Sequence, residues 1–319
     1  MNPLTGLYGA ATGLRNRLYD RGRITSRRLK RPVISVGNLS VGGSGKTPFV
    51  IALGELLKAR GIQFDVLTRG YGRKSSGVLL VRPDGNPAEF GDEPLLIAQK
   101  LAVPVIVGES RYAAGQLAEQ KFQSQLHILD DGFQYRSLFR DFDIVLLSKQ
   151  DFVDKLLPSG RLREPFSSLQ RADAIVLPRD FSANHPALAD FSRQGKPIWR
   201  MQREIALPAA LTAPIVFCGI ARPQQFFAQV RAAGILPAAE VEFRDHHAYN
   251  HADIERLLAM RDKLNAGGFI TTEKDAINLG PRRDDLQPFA AASLNVTLER
   301  PADVLDAILA RIAERKPHS

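Results

Sequence analysis

Residues 32–61 read PVISVGNLSVGGSGKTPFVIALGELLKARG, and this stretch decides the fold. Residues 32–36 are a short β-branched run, which predicts a buried strand. A glycine-rich turn follows, and apolar residues then recur with helical spacing from about residue 47 to residue 60, before Gly61 ends the pattern. The order of strand, glycine-rich loop and helix indicates an α/β protein.

The loop in this stretch has the composition of a phosphate-binding loop. Glycines let backbone amides turn inward toward phosphate oxygens, a lysine reaches the β- and γ-phosphates, and a threonine hydroxyl coordinates Mg²⁺. The residues predicted to bind nucleotide are Gly42, Gly43, Ser44, Gly45, Lys46 and Thr47. Ser40 stands where the strict pattern has its first glycine, and the Gly42-Gly43 pair is the candidate to supply the missing backbone freedom. The alternative is a glycine turn that precedes Lys-Thr by coincidence.

Further apolar runs alternate with helical or loop segments up to residue 177. Such alternation predicts βαβ units around a mostly parallel sheet. The predicted strands are residues 64–68, 78–81, 103–107, 126–129, 142–147 and 174–177. A less regular stretch, with an extended segment near 197–203, ends near residue 211. Beyond it, predicted strands at 214–218, 268–271 and 294–298 and helices at 223–233, 252–264 and 302–315 indicate a second, smaller α/β unit.

The predicted fold is therefore α/β, with a P-loop NTPase-like, mostly parallel sheet, a second, smaller α/β domain and an N-terminal amphipathic helix. We predict three regions of the chain. Residues 1–31 form the basic amphipathic helix and its lead-in, and residues 32–207 form the P-loop domain. Residues 208–319 form a smaller domain that closes over the nucleotide.

The composition is that of a folded, soluble-type protein. The 319 residues are 44% hydrophobic and 24% charged, and the formal net charge is +9. The single cysteine, Cys218, excludes a disulfide framework and a cysteine-based zinc cluster, which fits a reducing cytosol. No apolar run approaches the roughly 18 to 20 residues that cross a bilayer, and the N-terminus lacks the apolar core of a signal peptide. We therefore expect neither secretion nor a membrane span.

Most of the excess charge lies at the N-terminal end. Residues 1–31 contain eight lysines and arginines against the single acid Asp20, a net charge of +7. The apolar residues that share one helical face there are Leu4, Leu7, Tyr8, Ala11, Leu14 and Leu18. A basic amphipathic helix of this kind either lies in the headgroup region of an anionic membrane or docks on its own domain. Nucleic-acid binding is not expected, because only Tyr8 and Tyr19 are near the arginines to stack on bases.

Two acidic segments are candidates for metal and proton chemistry. Asp130 and Asp131 follow the apolar run 126–129, where a P-loop protein needs a carboxylate to hold the metal or its water shell. Adjacent strand residues point oppositely, so the two acids need not serve one ion, and a solvent-facing strand end is the alternative. Asp92, in the sequence GDEP at 91–94, is either a helix N-cap or the group that receives a proton from the acceptor.

Histidines and arginines supply further candidates. Three of the six histidines lie within residues 246–251, where they either bind metal without cysteine support or share a proton with a carboxylate in a closed site. Arginines recur in the segments 69–73, 109–112 and 160–164. Their planar guanidinium groups suit a phosphate, and the alternative for each is a solvated surface charge.

Taken together, these motifs resemble one family, the tetraacyldisaccharide 4′-kinases, which are the lipid A 4′-kinases of Gram-negative bacteria. The segments that carry the resemblance are GNLSVGGSGKTP (37–48), TRGYGR (68–73), GDEP (91–94), ILDDGFQ (128–134), PSGRLREP (158–165), FRDHH (243–247) and TTEKDA (271–276). They occur in order along nearly the whole chain. The first and the fourth are far more specific than a generic P-loop.

The resemblance implies an ATP- and Mg²⁺-dependent kinase that phosphorylates the 4′-hydroxyl of tetraacyldisaccharide 1-phosphate to give lipid IVA. By this resemblance, Asp92 matches the carboxylate that activates the sugar hydroxyl, with His246 or its neighbour His247 as its partner, and Lys46 acts on the phosphates. Residues that match contacts to the disaccharide or its 1-phosphate are Asn38, Arg69, Arg111, Arg163 and Glu164. The implied metal ligands are Thr47, Asp130 and Asp131. The TTEKDA segment has no derived chemical role, and a helix N-cap by Thr272 or a nucleotide or closure role are the alternatives.

An anionic lipid acceptor favours a peripheral protein at the cytoplasmic face of the inner membrane, bound there through residues 1–31. We expect the lipid substrate and the anionic membrane surface as partners, and neither nucleic acid nor an obligate protein partner. The alternative activity is that of a peripheral-membrane P-loop ATPase without a lipid acceptor. That alternative predicts ATP turnover that does not depend on added lipid.

Overall fold

The structure is a computed structural model that describes residues 3–43, 45–207 and 211–315. The helices in these ranges are α1 (Pro3–Asp20), α2 (Lys46–Ala59), α3 (Pro87–Phe90), α4 (Asp92–Leu101), α5 (Arg111–Lys121), α6 (Ala189–Arg193), α7 (Pro223–Ala232), α8 (His251–Leu264), α9 (Glu273–Leu279) and α10 (Pro301–Arg315). The strands are β1 (Val33–Asn38), β2 (Phe64–Thr68), β3 (Leu79–Leu80), β4 (Val105–Val107), β5 (Leu126–Asp130), β6 (Phe142–Leu146), β7 (Ala174–Pro178), β8 (Ile198–Ala206), β9 (Ile215–Cys218), β10 (Ala239–Glu242), β11 (Phe269–Thr272) and β12 (Phe289–Leu298).

These strands of the described residues form one sheet, in the order β10-β9-β11-β12-β8-β7-β6-β1-β5-β2-β4-β3. Neighbouring strands are parallel except in the pairs β3–β4 and β8–β12. The antiparallel pair β8–β12 divides the sheet into a first unit, which contains β1–β8, and a second unit, which contains β9–β12. The predicted fold class, a mostly parallel α/β sheet with a second, smaller α/β unit and an N-terminal helix, is confirmed.

The two units meet through the carboxyl-terminal halves of β8 and β12. Residues 198–201 of β8 pair with β7, and residues 201–206 pair with β12. Residues 289–292 of β12 likewise pair with β11, and residues 293–298 pair with β8. Because β8 continues past the carboxyl end of β7 and β12 runs against it, the strands of both units point toward the junction. Their carboxyl edges therefore face each other across a cleft.

β1 lies in the middle of the first unit, between β5 and β6. All six of its residues are buried, and Ile34 and Val36 belong to the same apolar cluster as Phe49 and Leu53 of α2. The glycine-rich loop follows the carboxyl end of β1. The neighbouring strand β5 ends at Asp130, at the same edge of the sheet. Ligands of open α/β sheets bind at such a carboxyl edge, so the fold brings the predicted loop and the predicted acidic residues together.

α1 docks on the first unit through its polar side. The Tyr8 hydroxyl donates to the carbonyl of Arg163 at 3.0 Å, and Asn16 Nδ2 donates to Glu164 Oε2 at 2.8 Å. On the other side of the helix, Leu7 is 68% exposed and Leu14 is 59% exposed. The predicted helix is therefore present and docks on its own domain. Leu7, Ala11 and Leu14 of the predicted apolar face form an outward stripe, whereas Tyr8 of that face lies on the docking side. Among the described helices, none is both long and apolar enough to cross a bilayer.

The segment that follows α1 belongs to the first unit's core. Arg27 forms an isolated β-bridge with Leu138. Leu29 is 6% exposed and packs in one apolar cluster with Leu67 and Ala114. The predicted N-terminal region, residues 1–31, thus combines an outward-facing helix with a buried lead-in.

The packing of α10 differs from the predicted assignment of that helix to the second domain. Val304 and Ile308 of α10 are fully buried in the apolar cluster that holds Phe49 and Leu53 of α2. The physical reason is the direction of β12, which carries the chain from the second unit back alongside β8 and delivers it to the first. The boundary at residue 207 and the closing motion of residues 208–319 stay predictions.

We expect Asn16→Ala to lower the free energy of unfolding by about 1 to 3 kcal/mol, because it removes a donor from a buried carboxylate. Glu164 is 0% exposed and keeps only its charged neighbours in that variant, among them Arg171 at 2.9 Å. Thermal and denaturant unfolding measure the change. Arg17→Ala, on the exposed side of the same helix, is the matched control. Equal stability of the two variants would contradict docking through the polar side.

Candidate active site

Three glycines shape the phosphate-binding loop. Gly42, Gly43 and Gly45 have φ angles of 77°, 42° and 83°, left-handed values that favour glycine. The loop leads directly into α2, which begins at Lys46. The free N–H groups and the dipole at this amino end favour an anion. Ser44, also predicted to bind nucleotide, lies outside the described residues.

Lys46 belongs to a network that joins three segments at the carboxyl edge. Its Nζ lies 3.2 Å from Asn38 Oδ1 and 3.5 Å from Asp131 Oδ1. Arg163 donates to both oxygens of Asp131, at 3.0 and 2.7 Å. The same guanidinium also donates to Asn38 Oδ1. The structure therefore brings four of the predicted site residues into contact.

The two adjacent aspartates have opposite electrostatic surroundings. Burial raises the pKa of Asp131, but Lys46 and Arg163 more than offset this and hold the pKa well below its usual range. For Asp130, burial and the nearby carboxylates of Glu93 and Asp131 raise the pKa to about 7. Thr68 Oγ1 donates to Asp130 Oδ2 at 3.1 Å, whereas Oδ1 is buried without a hydrogen bond among the described residues. Asp131 is thus the counter-ion of two cations. Asp130 keeps one buried carboxylate oxygen that accepts no hydrogen bond from the described residues.

The surroundings of Asp130 fit a divalent cation. Mg²⁺ prefers oxygen ligands and is usually held by one or two protein groups together with phosphate oxygens and water. The unpaired buried oxygen of Asp130 and the hydroxyl of Thr47, at the second position of α2, are donors of that kind. Within residues 3–43, 45–207 and 211–315, no three His, Cys, Asp or Glu side chains form a metal cluster. A cation here would therefore take the rest of its ligands from substrate and water.

Asp92 and His246 meet across the cleft between the units. Asp92 is the first residue of α4 and is 3% exposed. His246 follows β10, and its backbone N–H donates to the Gly219 carbonyl at 3.0 Å. His246 Nδ1 lies 3.0 Å from Asp92 Oδ2 and 3.1 Å from Oδ1. The predicted carboxylate and histidine are therefore in direct contact.

Two residues of α9 complete the surroundings of this pair. Asn278 Nδ2 donates to Asp92 Oδ2 at 2.9 Å, and Lys274 Nζ lies 3.9 Å from the same oxygen. Lys274 Nζ also lies 3.2 Å from His246 Nε2. Because an ammonium group only donates, this contact makes Nε2 an acceptor and puts the ring proton on Nδ1, toward Asp92.

The pair is electrostatically coupled. Burial raises the pKa of Asp92, but the hydrogen bond to His246 and the charge of Lys274 lower it below its usual value. Burial lowers the pKa of His246, but the hydrogen bond to Asp92 and its charge raise it above its usual value. Asp92 is therefore ionised at neutral pH, and the imidazole donates to it through Nδ1.

Lys274 and Asn278 are functional candidates that sequence reasoning missed. The signal in the sequence was the TTEKDA segment, which spans the end of β11 and the start of α9 and contains Lys274. The N-cap role of Thr272 is present, because its hydroxyl accepts from the Asp275 backbone N–H at 3.1 Å. The adjacent histidine, His247, binds Asp253 Oδ2 at 2.9 Å instead of Asp92. Of the two histidines, His246 is thus the one that reaches Asp92.

Two further predicted arginines lie at the carboxyl ends of neighbouring strands. Arg69 follows β2 and is exposed. Arg111 begins α5, is 7% exposed, and its guanidinium carbon lies 4.2 Å from the centre of the Tyr135 ring. Burial lowers the pKa of Arg111, and the charge of Arg69 lowers it further. We call Arg69, Arg111 and Arg163 the basic edge.

Glu164 occupies a different place from the other predicted substrate residues. Its carboxylate is fully buried and binds Asn16 of α1 and Arg171. The charge of Glu164 helps to raise the pKa of Arg163, although burial opposes this. The structure therefore brings Glu164 to the back of the basic edge, and its predicted contact with substrate stays a prediction.

A cavity of about 260 Å³ lies between the two units. Its lining residues from the phosphate-binding loop and its helix are Gly42, Gly43, Gly45, Lys46, Thr47 and Pro48. Its apolar lining residues are Ile51, Leu96, Ile205, Ile220, Phe226 and Leu294. His246 and Lys274 line it as well. An anion-binding loop beside an apolar wall suits a nucleotide, which has a charged tail and a flat base.

Comparisons with known proteins agree with this geometry. A family model described as Tetraacyldisaccharide-1-P 4'-kinase matches residues 1–313. A tetraacyldisaccharide 4'-kinase of Koribacter versatilis is 48% identical over 326 residues and covers 99% of both chains. Another, from Geobacter metallireducens, is 40% identical and covers 94% of both. The crystal structure of the "apo" form of LpxK from Aquifex aeolicus in complex with ATP has a TM-score of 0.78 at 36% identity, and covers 97% of this chain and 98% of that one. The chain therefore belongs to the tetraacyldisaccharide-1-P 4'-kinase family.

Proposed function

We propose that this protein is a tetraacyldisaccharide 4′-kinase, which transfers the γ-phosphoryl group of ATP to the 4′-hydroxyl of tetraacyldisaccharide 1-phosphate in lipid A biosynthesis. The observation that carries this proposal is membership of the family along almost the whole chain. The site has the components that phosphoryl transfer requires, namely a phosphate-binding loop, cations beside it and a proton acceptor.

ATP is the phosphoryl donor, with its phosphates on the loop that contains Gly42 and Gly45. Lys46 neutralises charge on the β- and γ-phosphates, and its contacts with Asn38 and Asp131 already hold it at the carboxyl edge. During transfer the bond between the γ-phosphorus and the β–γ bridging oxygen breaks, and its electron pair stays on ADP. A new bond forms between the phosphorus and the 4′ oxygen of the acceptor.

The proton of the 4′-hydroxyl goes to the Asp92–His246 pair. Asp92 is the proton acceptor, because its lowered pKa keeps it ionised. The Nδ1–H of His246 donates to Asp92 Oδ2 at 3.0 Å and holds the carboxylate in place as it takes up the proton. Lys274 positions the imidazole from the other side, at Nε2.

The basic edge is proposed to bind the 1-phosphate of the acceptor. Arg69 is exposed, Arg111 is held against Tyr135, and Arg163 is fixed by Asp131. Planar guanidinium groups in fixed positions bind phosphate oxygens in pairs, which gives orientation as well as attraction. Asn38 acts in this proposal by fixing Lys46 and Arg163 relative to each other.

Mg²⁺ accompanies ATP in kinases, and Thr47 and Asp130 would hold it. Asp130 is preferred over Asp131 because both oxygens of Asp131 already accept from Arg163. When bound, the ion neutralises charge on phosphate oxygens.

We propose a peripheral location at the cytoplasmic face of the inner membrane. The support is the outward stripe of α1, where Leu7 and Leu14 are exposed, together with the exposed Arg17, Arg21 and Arg23. Such a helix sinks its apolar side into the headgroup region while its arginines meet lipid phosphates. We further propose that the second unit, which is residues 208–319 without α10, closes over ATP, and that the contact between His246 and Asp92 belongs to the closed arrangement.

The transfer reaction is tested directly with γ-labelled ATP, Mg²⁺ and tetraacyldisaccharide 1-phosphate in detergent. We expect label in the lipid, and we expect Lys46→Ala to lower its rate at least about a hundredfold because a charge beside the transferred group is lost. Lys58→Ala, at the far end of the same helix, is the matched control and should retain activity. If the lipid stays unlabelled, or if the rate of ATP hydrolysis does not depend on added lipid, the result would favour the ATPase alternative.

The Asp92–His246 pair predicts a characteristic pH dependence. The rate constant kcat should fall as pH drops through a value above about 6.5, the ordinary histidine pKa, because Asp92 raises the pKa of His246 and a second ring proton makes Asp92 a weaker base. In Asp92→Asn the remaining fall should move to lower pH. Burial and Lys274 then lower the His246 pKa, and only Glu93 and Asp245 still face it with negative charge.

Coupling within the pair is measured in the same experiment with a double-mutant cycle. Asp92→Ala and His246→Ala combined should cost less activity than the product of their separate losses, because each variant already disables the shared function. His247→Ala, which removes the histidine bound to Asp253, is the control. Independent effects of the two substitutions, with an unshifted pH profile in Asp92→Asn, would refute the coupled pair.

Membrane binding is tested by the double variant Leu7→Gln, Leu14→Gln. Loss of apolar area on both residues should weaken co-sedimentation with anionic phospholipid vesicles by at least about tenfold. Point substitutions are needed because deletion of residues 1–31 also removes the buried Leu29. Leu236→Gln is the matched control, since Leu236 is 77% exposed in the second unit. Sedimentation equal to that of the control would rule out the α1 stripe as the membrane contact.

A further inference from the structure

Each left-handed glycine of the phosphate-binding loop lies against an arginine. The pairs are Gly42 with Arg161, Gly43 with Arg222, and Gly45 with Arg203. A Cβ atom added at these glycines would lie 2.7, 3.2 and 3.3 Å, in that order, from the nearest atom of the arginine. We call Arg161, Arg203 and Arg222 the arginine cluster.

The arginine cluster comes from three separate segments of the chain. Arg161 lies in the loop between β6 and β7, in the first unit. Arg203 lies on β8, paired with Val296 in the ladder that joins the units. Arg222 is the residue immediately before α7, in the second unit. Three elements of different origin therefore direct positive charge at one loop.

Within the described part of the chain, acids act on the cluster only from beyond ion-pair distance, with Asp180 near Arg203 and with Asp151 and Asp154 near Arg222. Among the described residues, none of the three arginines forms an ion pair with a carboxylate, and the Arg161 guanidinium donates to the Val41 carbonyl instead. Burial, followed by the charge of the neighbouring arginine, lowers the pKa of both Arg203 and Arg222. Nη2 of Arg222 is buried without a hydrogen bond among the described residues. A buried, unpartnered donor within a group of like charges is costly, which is typical of a functional site.

The position of the cluster identifies the chemistry of its ligand. Arg203 and Arg222 both line the cavity, together with Lys46 and the loop glycines. A purely structural role of filling space beside glycines would not need charge, and it would favour a neutral side chain. Guanidinium groups that face a phosphate-binding loop from the opposite side instead suit the same polyphosphate that the loop binds.

We propose that Arg203 and Arg222 bind the triphosphate of ATP from the side opposite the loop, and that Arg222 contacts the γ-phosphoryl group. Because Arg222 is carried by the second unit, its attraction to the γ-phosphate draws that unit toward the loop for ATP and less so for ADP. As the bond to the β–γ bridging oxygen breaks, the two guanidinium groups neutralise charge on the phosphate oxygens and exchange no proton. This inference rests on the proposed function only in taking ATP as the donor.

The test compares nucleotide binding to the full-length chain without any lipid acceptor. Titration calorimetry with ATP and with ADP, each with Mg²⁺, gives the two dissociation constants. Arg222→Ala should weaken ATP binding about tenfold or more and ADP binding by less. The ATP affinity of Arg222→Lys should lie between those of the wild type and Arg222→Ala, because lysine keeps the charge but lacks the paired N–H donors of a guanidinium group. Arg231→Ala is the matched control, since Arg231 lies on the same helix and pairs with Glu240 instead.

A second readout separates this role from a structural one. The unfolding temperature of ligand-free Arg222→Ala should equal or exceed that of the wild type, because a like-charge repulsion is removed. An ATP affinity of Arg222→Ala equal to that of Arg231→Ala would overturn the proposal. So would a loss of ATP binding that is matched by an equal loss for ADP and by a lower unfolding temperature. Since lipid is omitted, a wild type that fails to phosphorylate lipid would refute the proposed function and leave this result standing.

Discussion

The antiparallel ladder between β8 and β12 is the constraint on which the rest of the structure depends. Parallel α/β sheets place their ligand sites at the carboxyl edges of the strands, where the loops emerge. A second parallel sheet added side by side in the same direction would have its own, separate edge. Because residues 201–206 run against residues 293–298, the two edges face each other instead. Lys46, which follows β1, and His246, which follows β10, therefore share one cleft although they are far apart in the chain.

Charge in this cleft is arranged as the complement of an anionic substrate and a cation. The charge of Asp131 is neutralised within the protein by its two ion-pair partners, Lys46 and Arg163. Asp130 keeps an oxygen without a hydrogen bond, and Arg222 keeps a guanidinium nitrogen without one. Asp130 lies within the field of Lys46, and Arg222 lies against Gly43, so both unpaired atoms are close to the phosphate-binding loop. Self-contained ion pairs would make the empty fold more stable, and they would leave less interaction energy for the substrate.

Sequence patterns predict those features that interactions within a few residues determine. They do not predict which side chains meet across the cleft. The strand, glycine loop and helix around Lys46 follow from composition and periodicity, because backbone freedom and burial act within a few residues. The position of Asp130 at a strand end follows in the same way. Lys274 and Asn278 were missed because their roles depend on where α9 docks, about 180 residues from Asp92 in sequence. The return of α10 to the first unit was missed for the same reason, since no local signal encodes the direction of β12.

The polar side of α1 faces the protein and its apolar side faces outward, and this arrangement connects the proposed membrane face to the site. A helix that only covered a core would bury leucines, whereas α1 buries Asn16 and leaves Leu7 and Leu14 exposed. Two of its polar contacts reach the segment that follows Leu162, where the Tyr8 hydroxyl donates to the Arg163 carbonyl and Asn16 donates to Glu164. A helix held by directional hydrogen bonds keeps a defined orientation, which general apolar packing does not ensure. The proposed lipid contact and the guanidinium that fixes Asp131 are therefore rigidly related, so a lipid acceptor at the membrane surface would meet the basic edge in one orientation.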